Sequence, residues 1–116
     1  MIFKQIPKTH GEHGCVPRAF EALGISIPDW LKPTVERITS QRGLYEHEVH
    51  VLMDLMHYKR LRPHTSIFDN TFKEPYTTYF CQTDNHFFGV KDGIYYDIAH
   101  RPNQVVQYIF IKDERG

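Results

Sequence analysis

The order of its segments predicts an α+β domain, with segments of helical pattern first and segments of strand pattern afterwards. Two observations carry this. The stretch from Cys15 to Tyr58 repeats apolar residues at helical spacing, and Tyr76 to Ile111 is dominated by aromatic and β-branched runs separated by turn residues. A third observation, Asp92-Gly93 between two such runs, is a strong signal for a two-residue hairpin. At 116 residues, one domain over 1–116 is expected, built as N-terminal helices packed on a small antiparallel sheet.

The elements follow in order. Cys15, Val16, Ala19, Phe20 and Leu23 share one helical stripe, and Gly24 reads as its stop. Pro17 is compatible with this helix only in the first turn, which places Cys15 within a residue or two of its start. Pro28 and Pro33 interrupt the chain before a second helix expected over Thr34 to Gln41 and ended by Gly43. A third helix is expected from about Tyr45 to Tyr58, with Tyr45, Val49, Leu52, Leu55 and Met56 on one face. Strands are expected over Tyr76 to Cys81, His86 to Lys91, Ile94 to Ile98 and Val105 to Ile111. Asp84-Asn85 reads as a turn and Arg101-Pro102-Asn103 as a loop.

Composition excludes several classes. Lys plus Arg equal Asp plus Glu at 14 each, so no general attraction to nucleic acid or to an anionic membrane is expected. No apolar run is long enough to span a membrane, and the N-terminus lacks the pattern of a signal peptide. Two cysteines, Cys15 and Cys81, are too few for a disulfide framework, which fits a reducing cytoplasm.

The chemistry concentrates on three residues. Cys15 opens a helix, whose N-terminus carries partial positive charge that favours a thiolate. If Asp92-Gly93 is a two-residue loop, Lys91 faces Ile94, Val90 faces Tyr95, Gly89 faces Tyr96 and Phe88 faces Asp97. His86 lies two residues before Phe88 and so shares its face, as a diagonal neighbour of Asp97. Diagonal pairs sit roughly 7–8 Å apart at the backbone, within reach of an imidazole and a carboxylate. Nucleophile, base and orienter then stand in the order Cys15, His86, Asp97. Read without chemistry, Cys15 is a small buried hydrophobe and His86–Asp97 a cross-strand contact.

Other clusters compete. His10, His13 and Cys15, with His86 as a fourth ligand, have atom types that suit zinc, but their spacing matches no specific zinc signature. His47 and His50 share a face of the third helix, where Glu46 and Glu48 favour a solvated surface over a metal site. The short basic run Lys59-Arg60-Leu61-Arg62-Pro63-His64 and the rings of Tyr76, Tyr79, Phe80, Phe87, Phe88, Tyr95, Tyr96 and Tyr108 have the parts of a single-strand binder. Neutral net charge argues against that reading, and sheet aromatics are more often core.

Gly14-Cys15-Val16-Pro17-Arg18-Ala19-Phe20 resembles the "DCVxRA(I/L)" opening of small papain-like proteins of phages and mobile elements, grouped near the C39-type peptidases. His86-x-x-x-Val90-x-Asp92-Gly93-x-x-x-Asp97 is similar to their "HxxAVxDGxxxD" segment, and Val105-Val106-Gln107-Tyr108 to their closing "V-x-G-Y" strand. The resemblance implies a minimal papain-like fold and a thiol hydrolase or acyl-transfer enzyme acting on a peptide or amide. It implies Cys15 as nucleophile, His86 as base and Asp97 as its orienter, with no cofactor and no metal. The chain departs from the pattern at Gly14, where an acidic or amide residue is common, and at Ile98, where a hydroxyl residue is usual. Thr9 stands where a glutamine oxyanion donor is expected, which leaves Gln5, His10 or the Cys15 backbone N–H for that task. The expected partner is a protein or peptide substrate, a host protein in the host cytoplasm if the chain is phage-encoded. The alternative is a catalytically silent papain-fold module that binds and inhibits a host protein.

Overall fold

A computed structural model describes residues 2–61, 65–66, 77–101 and 103–113. The elements are β1 (Ile2–Gln5), α1 (Cys15–Ala22), α2 (Lys32–Thr39), α3 (Glu46–Leu55), β2 (Tyr58–Leu61), β3 (Thr65–Ser66), β4 (Thr78–Gln82), β5 (Phe87–Lys91), β6 (Ile94–Asp97), β7 (Val105–Val106) and β8 (Tyr108–Lys112). Six strands form one sheet in the order β1-β6-β5-β4-β8-β2, and β3 pairs with β7. The domain is α+β, as the segment order predicts.

The sheet is mixed rather than antiparallel throughout, because β1 pairs parallel to β6, with Ile2 opposite Ile94 and Gln5 opposite Asp97. This short edge strand is mostly exposed and has no strong alternation in the sequence. The third helix ends at Leu55, not Tyr58. Met56 caps it, His57 turns the chain at φ 63°, and Tyr58 begins β2 against β8. The expected last strand is divided at Gln107, whose N–H donates to the Gln82 carbonyl at 2.8 Å. The second helix begins two residues earlier than expected, since Pro33 is accommodated in its first turn. The residues 62–64, 76 and 102 named above lie outside the described set.

The hairpin has the counted register: Lys91 opposite Ile94, Val90 opposite Tyr95, Gly89 opposite Tyr96. Asp92 and Gly93 both take positive φ, 53° and 76°, as a type I′ turn requires. Alternation along the strands then divides the core in two. Phe80, Phe87 and Phe110 face the helices and meet Val16, Ala19, Phe20, Val49, Leu52 and Met53. Tyr79, Cys81, Phe88, Val90, Tyr95 and Ile109 pack on the opposite face. The Phe20 ring lies 4.3 Å from that of Phe80, so α1 rests directly on the sheet. Most of the aromatics that a nucleic-acid platform would need are therefore buried in the core.

Glycine decides how closely α1 sits. A Cβ on Gly89 would lie 2.6 Å from Leu23 Cδ1, so the bare backbone of β5 receives the end of α1. Leu23 follows the last turn of α1, while Cys15 begins its first turn near His86. Helix and strand therefore run in the same direction, and the start of α1 stands beside the residue preceding β5.

Candidate active site

The loop before α1 presents Cys15. Arg18 is buried at 4% exposure, its Nε donating to the Thr9 carbonyl at 3.0 Å and its Nη2 to the Gly11 carbonyl at 2.6 Å. This fixes the turn ahead of the cysteine from within the helix. Gly14 caps α1 tightly: a Cβ there would fall 2.2 Å from the His10 carbonyl oxygen. An acidic or amide residue, as in the motif, has no room at this position. Cys15 is the first helical residue and is half-buried.

His86 and Asp97 meet as the hairpin register requires. His86 Nε2 lies 2.7 Å from Asp97 Oδ2, with the residues 8% and 2% exposed. Asp97 is held further by the Tyr95 hydroxyl, which donates to Oδ2 at 2.8 Å, and by the Ile98 N–H, which donates to Oδ1 at 2.8 Å. Gln104 in turn donates to the Tyr95 oxygen at 3.0 Å. The Cys15 thiol stands close enough to the His86 ring to act on its protonation. Asp97 takes Nε2, so Nδ1 is the nitrogen left for sulfur.

The electrostatics favour the charged ring. Burial opposes an imidazolium at His86, but the hydrogen bond and charge of Asp97, together with the nearby Cys15 side chain, outweigh it and hold His86 above its ordinary pKa. Burial would likewise raise the Asp97 carboxyl, yet the bonds from His86, Tyr95 and Ile98 hold it below the usual carboxylate range. The other cysteine, Cys81, is fully buried, and burial pushes its thiol well above the ordinary value.

Cys15 and His86 open into a shared cavity of about 80 Å³, which Val16, Glu46, Val49, Gln82 and Asn85 also line. His10 is not among its lining residues. The His10 ring pairs with Glu21 and borders a separate cavity beside Phe20 and Ile25. Gln5 is also elsewhere, its amide donating to the Ile98 carbonyl at 3.2 Å. Of the residues expected to supply an oxyanion donor, only Cys15 lines this cavity.

No group of three or more His, Cys, Asp or Glu side chains is placed to hold a metal ion among the described residues. His50 does not lie on a solvated face. It is half-buried against the Tyr108 and Phe110 rings, and its Nε2 lies 3.2 Å from Gln82 Oε1. Gln82 is the polar residue at this cavity that the sequence did not single out. It ends β4, and its proximity to Cys15 arises from pairing between segments distant in the chain. No helix among the described residues is long and apolar enough to cross a membrane. No family model matches the chain, and no curated protein or solved structure matches it.

Proposed function

We propose that the protein is a thiol-dependent hydrolase or acyl-transfer enzyme acting on a peptide or amide bond, on a minimal papain-like fold. The observation that carries this reading is the buried His86–Asp97 hydrogen bond with Cys15 beside His86 at one cavity. In the reactive form Cys15 is a thiolate and His86 an imidazolium. The sulfur attacks the carbonyl carbon, an S–C bond forms, and the carbonyl pair moves onto oxygen. As that pair returns, the C–N bond breaks and His86 gives its proton to the departing amine. The thioester is then opened by water or another nucleophile, whose proton His86 accepts, and the Cys15 thiolate returns. Asp97 holds the ring with Nε2 protonated, so that Nδ1 faces sulfur throughout. None of these steps needs a cofactor.

Turnover of p-nitrophenyl acetate tests the reading. The wild type is expected to release p-nitrophenolate catalytically through an S-acetyl Cys15 intermediate, and both Cys15→Ala and His86→Ala are expected to lose this turnover while remaining folded. Activity that survives both substitutions would overturn the enzyme and leave the binding module, which needs neither side chain for chemistry.

A further inference from the structure

We propose that Gln82 is a catalytic residue of this site, its side-chain amide N–H₂ stabilising the oxyanion together with the Cys15 backbone N–H; this rests on the thiol-enzyme reading above. The orientation of the amide follows from a chain of donors. Arg60 Nη1 lies 2.6 Å from His50 Nδ1. A guanidinium can only donate, so Nδ1 accepts and the neutral ring carries its proton on Nε2. That proton is donated to the Gln82 oxygen at 3.2 Å, which fixes Oε1 toward α3 and leaves the amide nitrogen on the other side. Burial, and then the charge of Arg60, lower the His50 pKa and keep the ring neutral.

The nitrogen itself has no hydrogen-bond partner among the described residues. Among those residues no sealed side-chain nitrogen or oxygen lacks a partner either, so Gln82 Nε2 is reached by solvent. Gln82 is only 8% exposed and lines the cavity of Cys15 and His86, which is where that solvent stands. An oriented, unused N–H₂ group beside a nucleophile matches what the carbonyl oxygen needs as it becomes negative. The Cys15 N–H supplies the second donor, because first-turn amides of a helix have no acceptor within it. Arg60 and His50 are positioning residues that act through the Gln82 amide.

Two reactions of Cys15 separate this role from general support of the thiolate. Alkylation by iodoacetamide displaces iodide and forms no oxyanion, whereas acylation by p-nitrophenyl acetate passes through one. Gln82→Ala and the near-isosteric Gln82→Met are expected to slow acylation by roughly 10²–10³-fold, as for loss of one oxyanion donor, with the alkylation rate unchanged. His50→Ala, which frees the amide to rotate, is expected to slow acylation alone by less, and it gives the same reading from another element if the Gln82 variants do not fold. Acylation at the wild-type rate, or equal slowing of both reactions, would overturn the assignment to Gln82. A wild-type Cys15 that reacts with iodoacetamide no faster than free cysteine would instead overturn the thiol-enzyme reading itself.

Discussion

Gly89→Ala should destabilise the domain through one contact. The added Cβ would lie 2.6, 2.7 and 3.0 Å from Cδ1, Cγ and Cδ2 of Leu23. Carbon atoms rest at about 3.5–4.0 Å, so the Leu23 side chain or α1 must retreat by about 1 Å. Leu23 is 4% exposed. Overpacking of this kind costs about 1–3 kcal/mol. At about 4 °C per kcal/mol for a domain of this size, the melting temperature should fall by about 4–12 °C. Thermal and urea unfolding followed by circular dichroism read the change. A double-mutant cycle isolates its cause. Leu23→Ala alone should cost about 2–5 kcal/mol through its cavity. In that background Gly89→Ala should cost almost nothing, because the clashing atoms are gone, giving a coupling of about 1–3 kcal/mol. The same cost for Gly89→Ala in both backgrounds would refute the close approach of α1 to β5, and with it the route by which Cys15 is brought to His86.

Asp97→Asn should destabilise by about 3–5 kcal/mol, because it removes the charge partner of buried His86. The size of that loss should depend on pH. The Asp97 carboxyl is lowered on folding, so its contribution is full above the unfolded value near about 3.9 and fades as pH falls through the folded value. His86 is raised, so its contribution is full below about 6.5 and is lost as pH rises through the folded value. The difference in urea midpoint between wild type and Asp97→Asn should therefore be greatest from about pH 4 to 6.5, and a difference independent of pH would contradict the pairing. Gly93→Val should lower stability by about 1–3 kcal/mol, since Gly93 stands at φ 76° where a β-branched residue is strained. Imidazole ¹⁵N shifts should show His86 losing Asp97 in that variant, and an unchanged spectrum and midpoint would contradict the turn. Gly14→Ala should slow alkylation of Cys15, because the new Cβ meets the His10 backbone carbonyl and must push the start of α1 away; a wild-type rate would show that the tight cap does not position the thiol.

What was legible in the sequence depended on local chemistry. Asp92-Gly93 encodes a turn that only a two-residue loop satisfies, so the register and the meeting of His86 with Asp97 follow by counting. Pro17 and Gly24 bracket α1 because each suits one end of a helix. The end of α3 was not legible, since His57 rather than glycine takes the left-handed turn and the apolar spacing continues to Tyr58. Strand β1 was hidden because its partner β6 lies about ninety residues away and edge exposure removes the alternation. Gln82 was hidden for the same reason. Its orientation depends on His50 and Arg60, which reach it only after α3 and β2 have packed on the sheet.

Activation of Cys15 by His86 is the step on which the proposed chemistry depends. Its most direct test is the rate of iodoacetamide alkylation at Cys15 near pH 6, well below the ordinary thiol pKa of about 8.5, with the modified peptides resolved by mass spectrometry. Buried Cys81 serves as an internal control, since its thiol is held protonated and sealed. Cys15 is expected to react faster than free cysteine and far faster than Cys81, and His86→Ala is expected to remove this advantage while the fold survives. A Cys15 no faster than free cysteine, or one whose rate is indifferent to His86→Ala, would contradict that activation.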